Sequence, residues 1–130
     1  MSRFSRWWPP ALWAAAIFFL SSQSRLPQPP GPFAWDKLQH FLGYAPGGLV
    51  LARALARRER GMLPIALLLG SLYGASDEVH QYFVPGRNSD WHDWVADTLG
   101  VLLGIIIYRI AVHQWRARRG TAERAEALGT

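Results

Sequence analysis

The sequence predicts an all-α integral membrane bundle of about four transmembrane helices with both termini cytoplasmic. Three observations carry that prediction. Half of the 130 residues are hydrophobic and 18% are charged, with the apolar residues gathered into four runs and the charges between them. The stretches Ala11 to Leu20, Met62 to Ser76 and Leu99 to Ile107 lack the polar face at a 3.6-residue period that a water-soluble bundle requires. With a cytoplasmic N-terminus, 11 of the 14 arginines and lysines fall inside and only Arg25, Lys37 and Arg87 fall outside, the asymmetry expected of membrane topology.

Residues 1–8 form a short cytoplasmic N-terminus with Arg3 and Arg6, and the first helix is expected over 9–22. Pro9 and Pro10 suit its first turn, where a missing N–H costs nothing. A basic start and an apolar run also suit a signal peptide, but Ser21-Ser22-Gln23 offers no convincing cleavage site, so an uncleaved helix is expected. Gln23 to Trp35, with four prolines and a glycine, reads as a loop.

The second helix is expected over 36–56, polar in its first turn and kinked at Pro46, which removes a backbone donor. Arg57 to Gly61 reads as a tight charged turn before a third helix over 62–83. Val84-Pro85-Gly86-Arg87 has the Pro-Gly order of a type II turn. Ser89 or Asp90 can cap a fourth helix over 91–114, with Asp93 at capping-box spacing from Asp90. Residues 116–130 remain as a basic, frayed cytoplasmic tail. Gly43 with Gly47, Gly70 with Gly74 and Gly100 with Gly104 each repeat the G-x-x-x-G spacing by which membrane helices approach closely.

Composition excludes several functions. Without cysteine there is no disulfide, thiol nucleophile or cysteine-based zinc site. The net charge of +5 and pI near 10.4 would suggest nucleic acid in a soluble protein, but the basic residues follow topology, so no nucleic-acid partner is expected. The expected partners are the lipid bilayer and a lipid-linked or cell-wall ligand.

The polar residues point to a site. Asp77 lies 15 residues past Met62, about 22 Å along a helix against a hydrocarbon core of about 30 Å, which leaves it inside the outer leaflet. Asp97 and His40 fall at a similar level on their own helices, so three helices line a shallow outward-facing pocket. Spacing of three or four pairs Asp77 with His80, Glu78 with Gln81, and His40 with Asp36 and Lys37, and aligns Asp90, Asp93 and Asp97 as one acidic stripe. Facing carboxylates cannot all ionise unless cations compensate. Asp90 and Asp93 also read as caps, and His80 and His92 as histidines of the headgroup zone. Glu78, Gln81 and Asp97 sit inside apolar helices and are harder to assign to structure alone.

The motifs D-K-L-Q-H-F-x-x-Y, S-D-E-V-H-Q-Y-F-V-P-G-R and D-W-V-A-D-T-L-G-V-L-L-G occur in that order on three helices. In them, over roughly Trp35 to Gly104, the sequence resembles the VanZ-like family of small bacterial membrane proteins. The resemblance implies a helical membrane fold with signature positions at Asp36, Lys37, His40, Glu78, Gln81, Gly86, Arg87, Asp93, Gly100 and Gly104. The family often carries asparagine where Asp97 stands. Its founding member is associated with low-level resistance to the glycopeptide teicoplanin, which makes the bacterial inner membrane and the cell envelope the expected setting.

The candidate catalytic residues are Glu78 as general acid or base, Gln81 to orient it, and His40 as a second proton-transfer group held by Asp36. Arg87 and Lys37 are candidates to neutralise a phosphate or carboxylate, Asp93 to fix Arg87 or help hold a cation, and Asp77 and Asp97 to complete the binding site. Whether the protein is an enzyme stays open beside a non-catalytic reading, in which the pocket binds and the polar residues form a buried network. The cofactor is unknown and metal dependence stays open: carboxylate and histidine ligands could hold Zn²⁺ or Mn²⁺, but no H-x-x-x-H or equivalent compact motif stands out, so no residue is assigned to a metal.

Overall fold

The computed structural model describes residues 3–24, 34–56 and 62–127. These form four α-helices: α1 (Arg3–Ser21), α2 (Ala34–Leu55), α3 (Met62–Tyr82) and α4 (Trp91–Ala127). Among the described residues there is no strand. The expected turn at Arg57 to Gly61 and most of the proline-rich loop lie outside them.

Pro9 and Pro10 stand inside α1 rather than in its first turn, so the carbonyls of Ser5 and Arg6 lack their usual helical donors. Pro46 lies within α2, which continues past it from Ala34 to Leu55. The expected tail is helical as well, α4 extending to Ala127. From Trp115 to Ala127 the chain is mostly alanine, arginine and glutamate, all strong helix formers, with Gly120 the weakest position. The Val84–Arg87 turn matches the expected type: Arg87 N–H donates to the Val84 carbonyl at 3.1 Å, and Gly86 has φ of 83°.

Consecutive helices run antiparallel, and α2 against α4 is the most extensive pairing. Glycine explains it. A side chain at Gly48 would strike the Val101 carbonyl, one at Gly100 the Phe41 carbonyl, and one at Gly104 the Ala45 carbonyl, so the two backbones are in direct contact. Tyr44, Leu51, Ala52, Leu55, Ala66, Val101 and Ile105 form the buried core. Trp13 of α1 wedges against Tyr44 and Tyr73, with ring centroids 5.3 and 5.2 Å away, and its indole N–H donates to the Gly43 carbonyl at 3.0 Å.

The distribution of polarity is the reverse of a water-soluble bundle. Leu12, Phe19, Leu68, Leu72, Val79 and Ile110 are exposed, while Ser21, Asp77, Glu78, Gln81, Asp93 and Asp97 are buried. By length and composition, one described helix, Trp91–Arg124, is apolar enough to cross a membrane, and only 33% of its most apolar window is buried.

Candidate functional site

The antiparallel arrangement brings the C-terminal ends of α1 and α3 together with the N-terminal ends of α2 and α4. Among the described residues, Ser21, Asp77, Glu78, Gln81, Asp93 and Asp97, the buried polar residues, lie at that end. From α1, Ser21 donates to Asp77 Oδ2 at 2.8 Å, and Ser22 Oγ lies 2.9 Å from His80 Nε2. Gln81 Nε2 donates to the same Asp77 oxygen at 3.0 Å, one turn along α3. Asp77 is thus satisfied by neighbours on two helices.

Lys37, near the start of α2, reaches across to α4. Its ammonium lies 2.8 Å from Asp90 Oδ2, contacts Asp93 Oδ1 and stands 3.7 Å from Asp36. Asp90 also caps α4: its Oδ1 accepts the His92 N–H at 3.0 Å, while its carbonyl accepts the Asp93 N–H at 2.9 Å. The Lys37 ammonium, followed by the His92 backbone and ring, holds the Asp90 carboxyl well below the usual carboxylate range.

A capping box would return Asp93 to the Asp90 N–H. Instead that N–H donates to Glu78 Oε2 of α3 at 2.8 Å, leaving Asp93 to Lys37. The last turn of α3 therefore completes the first turn of α4.

His40, Glu78 and Asp97 form the innermost group. His40 Nδ1 lies 3.0 Å from Asp97 Oδ1 and 4.0 Å from Glu78 Oε1. The side chain of Glu78 is 8% exposed and that of Asp97 is 0% exposed, yet Glu78 Oε1 and Asp97 Oδ2 have no hydrogen-bond partner. Gly74 makes room for this group, since a side chain there would come within 3.1 Å of Asp97.

Two small cavities open onto His40. One of about 130 Å³ is lined by Ser21, Asp36, His40, Tyr44, Asp77 and Arg87 among others. The second, about 100 Å³, is lined by Asp36, His40, Gln81, Gly86, Arg87 and Asn88. Arg87 borders both and forms no ion pair among the described residues, and its buried Nε has no hydrogen-bond partner.

The site residues expected from sequence thus gather at one end, but several of their partners differ. Gln81 binds Asp77, not Glu78. His40 is held by Asp97 rather than Asp36, and Asp93 engages Lys37 rather than Arg87. Lys37 is committed to three carboxylates, which among the described residues leaves Arg87 as the cation facing the cavities. Ser21 was not foreseen as a site residue. Its signal was available, because two serines end an apolar run at the level expected for Asp77 and His80.

Fold and cluster together define the class: a helical bundle that encloses carboxylates and a histidine at one end while presenting hydrocarbon around its flanks. The chain belongs to the VanZ/LLP1 family, whose description matches residues 6–112, from α1 through most of α4. This bears out the resemblance seen in the three motifs. Comparison with curated proteins and with solved structures yields no match.

Proposed function

We propose that this VanZ-like protein is a multi-pass protein of the bacterial inner membrane, whose outward-facing polar pocket binds or acts on a cell-envelope or lipid-linked molecule. The observation that carries the reading is the buried His40–Glu78–Asp97 group, with two unpaired carboxylate oxygens, placed behind cavities that open at one end of an otherwise apolar surface. Unpaired buried carboxylates are costly to maintain and mark functional sites by default.

The cavities are smaller than the roughly 300–1,000 Å³ of a typical small-molecule pocket. They fit a headgroup or the end of a longer molecule whose apolar part lies in lipid. Arg87, bordering both cavities, neutralises a phosphate or carboxylate there. His40, opening onto them, exchanges protons with the bound group, and Glu78 and Asp97 behind it supply and accept charge. The teicoplanin phenotype associated with the family's founding member makes peptidoglycan precursors and envelope lipids the first candidates.

The test is envelope-lipid and precursor profiling of a deletion strain complemented with wild type or Glu78→Gln. Glu78→Gln is expected to accumulate in the membrane at the wild-type level and to leave the deletion profile uncorrected. Full correction by that variant overturns the reading.

A second, non-catalytic reading draws support from Ser21–Asp77–Gln81 and Lys37–Asp90–Asp93, which are ties between helices. It expects Glu78→Gln and His40→Asn to lose folding or ligand affinity together. Reconstituted wild type would convert no substrate.

A further inference from the structure

We infer that His40, Glu78 and Asp97 form a binding site for one first-row divalent cation, of the Zn²⁺ or Mn²⁺ type. The inference deepens the reading above and rests on the same cluster, but its test does not depend on any envelope molecule. One ligand atom from each of the three residues lies within 4.8 Å of the others. A tetrahedral ion with bonds of about 2.0–2.1 Å sets its ligands roughly 3.3 Å apart. The distances of 3.0 Å from His40 Nδ1 to Asp97 and 4.0 Å to Glu78 straddle that separation, so closing the site takes an inward movement of the Glu78 carboxylate.

The independent observation is the orphaned oxygen of Glu78, which faces the imidazole. Glu78 Oε1 and Asp97 Oδ2 are buried without a hydrogen bond, and Glu78 Oε1 faces the His40 ring. Two carboxylates and a neutral imidazole carry a charge of −2, which a dication cancels in full. Lys37 cannot serve, because its ammonium is occupied by Asp90 and Asp93.

The same logic separates this set from its neighbour. Asp36, His40 and Asp93 also lie within ligating reach of one another, but Lys37 already compensates the two aspartates. The donor chemistry narrows the ion. One imidazole with two carboxylates suits Zn²⁺ or Mn²⁺, whereas Ca²⁺ takes six to eight oxygens and Mg²⁺ keeps most of its waters.

Binding requires Nδ1 to be free of its proton, so a neutral His40 carries that proton on Nε2 as its contact to Asp97 becomes a shared coordination. Glu78 is held for the task by the Asp90 N–H on its other oxygen, which fixes the carboxylate plane.

The experiment uses the full-length protein purified in detergent, stripped with chelator and titrated separately with Zn²⁺ and Mn²⁺. One ion per chain is expected, with a rise in melting temperature on binding. Glu78→Gln and His40→Gln should each weaken binding by roughly tenfold or more, the scale seen when a metal site loses a supporting group. Asp36→Asn should stay within a factor of about two, because the inference gives Asp36 no ligand role.

Helical content and monodispersity check the variants, and the wild-type melting shift stands without them. Absence of any metal-dependent shift in wild type overturns the inference, as does loss of binding in Asp36→Asn alone. Neither result touches the envelope reading, which its own complementation test decides. A wild-type site that binds metal in a strain with no envelope defect would instead retire that reading and keep the ion.

Discussion

Glu78 divides its two oxygens between unlike tasks: Oε2 secures the start of α4 through the Asp90 N–H, and Oε1 faces His40 unpaired. Glutamine at this position keeps an oxygen for Asp90 while removing the charge, which is why it separates chemistry from folding. Lys37 is the opposite case, a group whose partners make it structural. Asp93 is 2% exposed and depends on that ammonium. Lys37→Met is therefore expected to cost about 3–5 kcal/mol, the scale for leaving a buried charge unpaired. Adding Asp93→Asn should return a large part of the loss in a double-mutant cycle read by thermal unfolding in detergent. The residue types of the site were legible in the sequence, whereas their partners were not. Spacing fixes which residues share a face of one helix, as with Asp77 and His80. It does not fix the rotation of α2 against α4, and that rotation turns His40 toward Asp97 and Lys37 toward Asp93.

The α2–α4 contact is decided by three glycines rather than by matched side chains. Gly104→Ala would drive a methyl group into the Ala45 carbonyl, where neither backbone can yield cheaply. The expected loss is about 2–3 kcal/mol, the upper range for overpacking, measured as a fall in unfolding midpoint. Gly120→Ala is the control. Nothing lies within 4 Å of that position, and alanine should raise helix stability by up to about 1 kcal/mol. The G-x-x-x-G spacing pointed to Gly100 and Gly104 but passed over Gly48, which makes an equally close contact from the other side. Element boundaries were legible where turn chemistry is strong, as at Trp91 after the Pro-Gly turn. They failed at the two outer ends. Local propensity there carried α4 on through its charged tail and α1 back past its prolines, neither of which hydropathy alone registers.

At the scale of the molecule, polarity inside and hydrocarbon outside is what the proposed multi-pass setting expects of a bundle solvated by lipid. The level at which the polar ends meet was legible, since helix rise alone set it. The proposed topology places Ser89 outside and Arg118 inside. The chain has no native cysteine, so single cysteines at those positions can be labelled without background. An impermeant maleimide added to intact spheroplasts should modify Ser89→Cys and spare Arg118→Cys until the membrane is opened. Labelling of Arg118→Cys in intact cells would invert the orientation and move the pocket to the cytoplasm. The length of α4 adds a constraint of another kind. Its 37 residues span about 55 Å at roughly 1.5 Å per residue. An upright bilayer crossing, headgroups included, takes only about 40–45 Å. In the proposed topology the last two turns or so, with Arg124, would therefore stand clear of the surface as a rigid stem. A partner approaching from the cytosol would then meet them at a fixed height and within a narrow arc, not anywhere in the hemisphere that a loose tail would sweep.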